Sequence, residues 1–235
     1  MGERIGLAKA ALYFNAAGSV DDAVAACEAK ARELAKTLPD GVAQRVARRV
    51  TEMPVIPHQV LMADSPRPFD VAYQLSSADS GALEAMNEAV AAMAQALGAH
   101  VDRTSAAVLV GQEIAITRGD GPIYNIMPLR RRPELSHDEF MHHWFDRHAS
   151  LGEGVEGVRY RQNHVDYAAT DALAERAGVR FEPMDGLTES YFDSIDAAVA
   201  VLSQKEVEVD AIEDEKRFIH HPRSQFGLYE TVWRA

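Results

Sequence analysis

The sequence predicts an α+β fold in which the element order β-α-β-β-α-β occurs twice along one chain. Hydrophobic periodicity alternates between about 2 and about 3.6 residues in this order in both halves, as it does in strands and amphipathic helices. A Gly-Asp-Gly-Pro break at residues 119–122 separates the halves, and residues 70–77 are weakly echoed by residues 185–194. Two split-βαβ units, each with an antiparallel sheet and two helices on one face, have this order. The predicted units are residues 1–119 and 120–235.

Capping residues and prolines define the elements of the first half. Ser19 is a predicted helix N-cap with Asp22 in the capping-box position, and Ser80 is the predicted cap of the second helix. Pro54 and Pro57 confine the second strand to a sheet edge or a bulged path, because proline has no N–H to donate to a neighbouring strand. The predicted strands cover residues 7–15, 49–61, 69–75 and 106–117.

The second half repeats the pattern with one insertion. Residues 171–184 contain Gly178 and Pro183 and are predicted to form an inserted loop or helical turn. The regular elements are strands at residues 123–130, 158–167, 187–193 and 226–233, and helices at residues 136–151 and, in pieces, 195–218.

Composition and charge exclude several classes of protein. No apolar run approaches the ~20 residues of a transmembrane helix, and the first residues lack a signal-peptide core, so we expect a soluble, cytoplasmic protein with no membrane partner. A single cysteine, Cys27, excludes an internal disulfide and a cysteine zinc site. The formal net charge of −12 argues against nucleic acid as a partner, because a nucleic-acid binder needs a basic face.

The acidic charge lies mainly in the second half of the chain. Residues 1–119 carry 11 basic and 14 acidic side chains, whereas residues 120–235 carry 13 and 22. Blocks of like charge are usually solvated, so one acidic run is predicted to be a solvent-facing helix or loop. It consists of Glu206, Glu208, Asp210, Glu213, Asp214 and Glu215.

The helix that follows Ser136 has an unusual apolar stripe. Ser136 and Glu139 form a predicted capping box. The stripe consists of Phe140, Trp144, His148 and Leu151, with Met141 and Phe145 beside it. A histidine in such a stripe is either a hydrogen-bonded core residue or a functional group at a pocket. His142 and His143 fall off the centre of the stripe, so they are expected to flank it or face solvent and are poor metal ligands.

The next strand has no apolar face. Tyr160, Gln162 and His164 share one side by alternation, and Arg161 and Asn163 share the other. Two interpretations remain open: one face meets water, as in many antiparallel sheets, or both faces line pockets. On the neighbouring strand, alternation places Glu189 and Tyr191 together, and we expect several of these polar groups to converge on a cavity beneath the helices.

From residue 128 onward the sequence resembles the EthD-like proteins of the dimeric α+β barrel superfamily. The most specific feature is the helix at residues 137–148, which contains the Phe140, Trp144 and His148 pattern. The N-terminal half matches only in the order of its elements. The other matching segments are residues 129–136 (LRRRPELS), 160–165 (YRQNHV), 185–193 (DGLTESYFD), 214–218 (DEKRF) and 230–232 (ETV).

The resemblance implies a ferredoxin-like unit whose sheet packs face to face with a second sheet to form a barrel. The tandem chain could build this barrel internally, with residues 1–119 as a degenerate, mainly structural unit and residues 120–235 carrying the site. The superfamily includes dehydratases, decarboxylases, cyclases, isomerases and monooxygenases, so the resemblance implies the fold more closely than the reaction. A tandem chain of this kind is a monomer or pairs again as a homodimer.

The predicted activity is acid–base chemistry on a hydrophobic, aromatic or polyketide-like small molecule, of the lyase or isomerase type. His148 is the predicted base, with His164 as a second acid or base, because histidine exchanges protons near neutral pH. Tyr160 is predicted to stabilise a developing oxyanion, and Glu189 to orient a histidine. The predicted substrate-binding residues are Phe140, Trp144, Phe145, Gln162 and Tyr191.

No metal and no cofactor are predicted. The histidines lack the spacing of a helical zinc site, and no glycine-rich phosphate loop occurs in a strand–turn–helix setting. Two alternative functions remain. The first is a small-molecule carrier that assists an oxygenase, which needs the pocket without proton-transfer residues. The second is an oxidoreductase that uses no cofactor or binds haem through a single axial histidine, for which His148 is the candidate.

Overall fold

The computed structural model describes residues 6–180 and 183–235, and its strands form one closed antiparallel barrel. Going around the barrel, the strands follow the order β1-β3-β2-β8-β5-β7-β6-β4, and β4 pairs again with β1. The strands are β1 Gly6–Ala16, β2 Ala43–Arg49, β3 Val71–Ser77, β4 Val101–Ala115, β5 Ile123–Leu129, β6 Arg159–Val165, β7 Gly186–Phe192 and β8 Gly227–Arg234.

Each half of the chain contributes four neighbouring strands in the same relative order. The first half has the order β4-β1-β3-β2, and the second half has β8-β5-β7-β6. Hydrogen bonds join the halves at both edges, β2 to β8 and β4 to β6. The α+β class and the antiparallel sheets are confirmed. The edge-to-edge hydrogen bonding goes beyond the predicted face-to-face packing, because it closes the two sheets into a single cylinder.

Helices cover the outside of the barrel. Ser19 caps α1 by accepting a hydrogen bond from the amide of Asp22, and Ser136 and Glu139 form the predicted capping box. In the second half, two π-helical segments interrupt the helices, at His142–His148 and Glu206–Ala211. The α-helices are α1 Val20–Leu34, α2 Pro57–Leu61, α3 Leu83–Leu97, α4 His137–Met141, α5 Ala149–Glu153, α6 Tyr167–Ala177, α7 Ile195–Leu202 and α8 Ile212–Glu215.

Three predicted elements differ from the structure. Residues 49–61 do not form a strand: β2 ends at Arg49, and Pro57 begins α2, because proline lacks an N–H and its fixed φ suits the first helical position. The cap before α3 is Asp79, whose side chain accepts from the amide of Gly81, and Ser80 begins a short 3₁₀ turn. The stretch predicted as an inserted loop or helical turn contains most of α6, which is longer than one turn and whose C-cap, Gly178, has a positive φ of 66°.

The core has three parts. The first lies between α1, α3 and the outer face of the first half's strands, and includes Cys27, where burial raises the pKa of the thiol. The second packs α4, the following π-helical segment and α7 on the outer face of the second half's strands. The third fills part of the barrel interior with residues such as Tyr13 and Leu109. In the described ranges, no helix has the length and apolarity needed to cross a membrane.

Candidate active site

A small cavity lies between the outer face of the second half's strands and the helices that cover it. Its volume is about 70 Å³. Apolar side chains dominate its walls, including Trp144, Val201 and Phe226. The polar and titratable lining residues are His58, Asn125, His148, Tyr160, Thr188, Ser190 and Glu215. All of these except His58 come from the second half of the chain.

His148 is held in this wall by a carboxylate. Its Nδ1 lies 3.0 Å from Oδ2 of Asp214, and His143 Nε2 lies 3.0 Å from Oδ1 of the same carboxylate. The hydrogen bond from His148 lowers the pKa of Asp214 against the opposing effect of partial burial, and His143 lowers it further. A charged Asp214 accepts only, so Nδ1 of His148 carries a proton, and in the neutral imidazole Nε2 is the nitrogen with the free electron pair. Within the described ranges, the structure shows no hydrogen-bond partner for Nε2.

The π-helical segment explains how one carboxylate reaches two histidines. In an α-helix, side chains five positions apart differ in direction by about 140°, so His143 and His148 would diverge. The i to i+5 repeat of a π-helix brings such residues to the same side. The segment His142–His148 therefore presents both imidazoles to Asp214. π-helical turns of this kind occur frequently at functional sites.

An aromatic and amide network forms the cavity wall beside His148. Nε1 of Trp144 donates to the hydroxyl of Tyr160 at 3.0 Å, and Nε2 of Gln162 donates to the same hydroxyl at 2.9 Å. Burial raises the pKa of Tyr160 to about 12, so its hydroxyl keeps its proton. The rings fit because Gly186 lies under Trp144 and Gly152 lies under Tyr160. A Cβ at Gly152 would come within 2.7 Å of the Tyr160 ring.

A second carboxylate lies directly after Asp214 in the chain. Glu215 is buried, with Oε1 3.4 Å from Nε2 of His58 and Oε2 3.1 Å from Nε2 of His221. Burial alone raises the pKa of Glu215. The charge of His58 and the hydrogen bonds from His221 and His58 outweigh burial and hold the pKa well below its usual value. Glu215 thus ties α2 of the first half to the second half, and His58 stacks on Phe226 at 5.2 Å.

This arrangement predicts an acid-dependent contribution to stability. A carboxyl with a lowered folded-state pKa stabilises the fold above its unfolded pKa, and the contribution is lost as the pH falls towards the folded value. We expect Glu215→Gln to lower the free energy of unfolding by about 1–3 kcal/mol at neutral pH, since it breaks buried hydrogen bonds to a charged group. The loss relative to the unmodified protein should shrink as the pH falls below the usual glutamate value of 4.5.

Urea unfolding at several pH values measures this difference. Glu213→Gln is the matched control, because Glu213 is in the same helix, is exposed, and pairs with the exposed Lys216. A difference between Glu215→Gln and the unmodified protein that stays constant from neutral to acidic pH would contradict the prediction.

The structure brings some of the predicted site residues together and separates others. His148, Tyr160 and Trp144 line the cavity, and Phe140 packs behind Trp144 with ring centroids 5.5 Å apart. His164 is absent from the cavity wall: it bonds Gln162 at 3.1 Å and contacts the rings of Trp144 and Phe145. Gln162 supports the wall from behind through its bonds to Trp144 and Tyr160.

Glu189 and Tyr191 lie inside the barrel, on the opposite face of the sheet from His148. Glu189 accepts hydrogen bonds from Gln74 and, at 2.7 Å, from the hydroxyl of Tyr191. The prediction that Glu189 orients a histidine was therefore wrong. Alternation along β7 explains the error, because Thr188 and Ser190 point to the cavity and their neighbours point inward.

Sequence reasoning missed the two carboxylates that hold the histidines. The acidic run was predicted to face solvent, which is true of Glu206, Glu208, Asp210 and Glu213 but wrong for Asp214 and Glu215. The sequence held one sign that Asp214 faces the protein. Phe218 is an apolar residue four positions after Asp214, and it is fully buried. His143 was expected to flank the stripe or face solvent, and it is instead bound to Asp214. His142 is exposed and pairs with Asp146 at 2.7 Å.

Metal ligands do not converge in the described ranges: no group of three or more His, Cys, Asp or Glu side chains there is arranged to hold a metal ion. Both carboxylates of the site are already paired with histidines. Asp214 binds two, and Glu215 binds two.

Comparison with known proteins agrees with the sequence resemblance. Residues 132–222 match the family model of the EthD domain, which confirms the predicted family for this part of the chain. The matched range includes His148, Asp214 and Glu215 and excludes His58. No curated protein matches the chain.

Solved structures share the fold over nearly the whole chain. A candidate monooxygenase from Fusobacterium nucleatum is 13% identical, with 99% of this chain and 95% of that chain covered and a TM-score of 0.57. A heme-binding protein from Thermus thermophilus is 10% identical, with 98% and 93% covered and a TM-score of 0.54. A mutant chlorite dismutase from Candidatus Nitrospira defluvii is 10% identical, with 97% and 93% covered and a TM-score of 0.52. Identities this low show a common fold alone.

Proposed function

We propose that the EthD domain of this chain carries an acid–base active site that acts on a small hydrophobic molecule, with His148 as the base. The observation that carries this proposal is the orientation of one imidazole. Nδ1 of His148 is bound to Asp214 at 3.0 Å, and the ring lines a mainly apolar cavity. A carboxylate on one nitrogen fixes the tautomer in which the other nitrogen can accept a proton.

The cavity supports proton abstraction from a carbon atom next to a carbonyl group. Nε2 of His148 takes the proton, the electron pair of the broken C–H bond forms a C=C bond, and the π electron pair of the carbonyl group moves onto its oxygen. Hydroxyl groups of Tyr160, Thr188 and Ser190 line the same cavity and supply donors for that oxygen. Return of the proton to another carbon gives isomerisation. Its delivery to a departing hydroxyl group gives dehydration.

The size of the cavity restricts the substrate. A cavity of ~150 Å³ takes a benzene ring, whereas this one measures about 70 Å³. An aromatic or polyketide-like substrate therefore requires side chains of the wall to move apart. Val201, Leu202 and Val207 belong to helical segments on that wall, outside the hydrogen-bonded barrel. A compact carbonyl compound requires the smallest movement of these wall side chains.

The residues present do not fit a haem group. Two relatives by fold are named as a heme-binding protein and a chlorite dismutase. Here the imidazole of His148 faces a cavity of about 70 Å³, which is smaller than the ~150 Å³ that takes a single benzene ring. Trp144, Tyr160 and Phe226 fill the space beside it. We therefore derive no step through haem for this site.

We also propose that the chain is an internal version of a dimeric α+β barrel, with ferredoxin-like units at residues 1–119 and 120–235. The repeated strand order and the edge pairing of β2 with β8 and β4 with β6 support this. The first unit is the structural partner, and it adds one residue to the cavity, His58. Since the chain closes its own barrel, the fold needs no second copy to complete the site.

Hydrogen–deuterium exchange at carbon tests the proposal without knowledge of the full reaction. Small ketones and 1,3-dicarbonyl compounds are incubated with the protein in D₂O, and exchange next to the carbonyl is followed by NMR. We expect catalysed exchange in at least one compound, and a loss of about 100-fold or more in His148→Gln, since a positioned base contributes about 10²–10⁴-fold.

His142→Gln is the matched control, because His142 lies in the same π-helical segment and is exposed. Its exchange rate should equal that of the unmodified protein. Compounds that bind without catalysed exchange, and with unchanged affinity in His148→Gln, would instead indicate a carrier protein.

A further inference from the structure

A second cavity opens at one end of the barrel interior, separate from the His148 site. Its volume is about 250 Å³. Inward-pointing residues of several strands line it, including Lys9 of β1, Arg45 of β2, Glu113 of β4 and Arg161 of β6. Barrels of about eight strands have an interior that side chains fill or that holds one small ligand. Apolar residues such as Tyr13, Leu109 and Ile126 fill one part of this interior, and the cavity occupies the other.

Charged groups are buried along the wall of this cavity. Nζ of Lys9 lies 2.6 Å from Glu113 and 3.5 Å from Glu189, and Arg161 donates to Glu113 at 2.5 Å. Burial opposes ionisation of Glu113, but Lys9 and Arg161 together lower its pKa. These carboxylates and the ammonium are at most 3% exposed. Hydrophobic side chains of similar volume are often as stabilising as a buried ion pair, so stability alone does not explain this cluster.

Two guanidinium groups are presented against one aromatic ring. Arg45 lies 4.7 Å and Arg161 lies 4.4 Å from the centroid of Tyr191, and Arg45 also contacts Tyr124 at 4.9 Å. Arg45 donates one hydrogen bond at 2.6 Å to Asp120, which lies in a loop and is 43% exposed. In the described part of the chain, the other terminal nitrogen of Arg45 has no hydrogen-bond partner. The guanidinium of Arg45 therefore has N–H groups that form no hydrogen bond in the described part of the chain.

Cations from four positions gather at this cavity. Lys9, Arg45, Arg161 and Arg234 line it together with the carboxylates Glu113 and Asp120. Guanidinium groups match the planar geometry of a carboxylate and bind it through two parallel hydrogen bonds.

We propose that this end of the barrel interior is a second binding site, which takes a small organic carboxylate beside the guanidinium groups of Arg45 and Arg161. The ligand carboxylate competes with Asp120 for Arg45, and Asp120 is free to turn to solvent because it is half-exposed. The ring of Tyr191 forms the wall beneath both guanidinium groups. The site is independent of the acid–base proposal, because it lies on the other face of the sheet.

Calorimetric titration at low ionic strength with acetate and succinate tests this site, with acetamide as the uncharged counterpart of acetate. We expect both carboxylates to bind the unmodified full chain and acetamide not to bind. Binding should weaken at least tenfold in Arg45→Gln. Ser76→Leu, which fills the cavity and leaves every charge in place, should weaken it to a similar extent.

Two controls complete the experiment. Arg48→Gln makes the same change on the same strand at a residue that pairs with Glu230 and Asp21 outside the barrel, and it should bind normally. His148→Gln should also bind normally, which separates this proposal from the acid–base proposal. The proposal is overturned if neither carboxylate binds the unmodified protein, or if Ser76→Leu binds them with unchanged affinity. Because Ser76→Leu keeps the buried ion pairs, it decides the outcome even where Arg45→Gln fails to fold.

Discussion

Replacement of Trp144 by alanine is expected to lower the free energy of unfolding by about 3–5 kcal/mol, the range for removing a large aromatic side chain from a core. Trp144 is fully buried, packs on Phe140, and lies directly over Gly186. Its removal leaves a hole beside a backbone that has no side chain to fill it. It also removes the donor to the hydroxyl of Tyr160 at 3.0 Å. Urea unfolding followed by circular dichroism measures the loss.

Trp233 provides the control, since the chain has two tryptophans. Trp233 is half-buried at the end of β8, and Arg32 lies over its ring at 5.4 Å. Trp233→Ala should cost clearly less than Trp144→Ala, because part of the Trp233 ring already contacts water. Equal losses for the two substitutions would show that Trp144 does not anchor the second core. Such a result would remove the basis for the cavity wall described above.

Local sequence signals predicted the strands and long helices well, because each signal acts through its own neighbours. Ser19 and Ser136 cap helices through hydrogen bonds that span three residues. The stretch around Pro57 failed for a related reason. Proline is compatible with an edge strand and with a first helical turn, and only contacts far away in sequence choose between them. Here His58 reaches Glu215, 157 positions along the chain.

The polar strand at residues 159–165 shows how far alternation alone can predict a site. The sequence showed that neither of its faces is apolar and left open a wet face or two lined pockets. The structure buries both faces: Tyr160 and Gln162 lie against the helices, and Asn163 and the stem of Arg161 lie inside the barrel. Barrel closure produces the second pocket. It depends on pairing between β4 and β6, which no local pattern specifies.

The histidine site depended on a helix type that the sequence did not reveal. Helical periodicity of 3.6 residues placed His148 correctly in the apolar stripe and turned His143 away from it. A π-helical segment changes that geometry and brings both residues to Asp214. The acidic run contributed to the error, since four of its six members do face solvent. The partial burial of Asp214 follows from its contacts with the π-helical segment, and the burial of Glu215 from its contact with α2.

Replacement of Asp214 by asparagine is expected to reduce the catalysed exchange by up to about 10⁴-fold, the loss seen when the aspartate of a Ser-His-Asp triad is replaced by asparagine. An asparagine amide can donate to Nδ1 of His148, which favours the tautomer with the proton on Nε2. That nitrogen then cannot accept a proton from the substrate. The ¹⁵N NMR shifts of His148 report the tautomer directly, and they should show the proton moved from Nδ1 to Nε2.

His143→Gln is the matched control for this positioning role of Asp214. It removes the other histidine from the carboxylate and leaves the 3.0 Å contact between Asp214 and His148. Its exchange rate should stay within a few-fold of the unmodified protein, because the tautomer of His148 is preserved. An Asp214→Asn protein that is folded and exchanges at the normal rate would show that His148 needs no partner, and the base would then have to be sought elsewhere in the cavity. A lost rate with an unchanged tautomer would mean instead that the negative charge of Asp214 stabilises the imidazolium that forms during proton transfer.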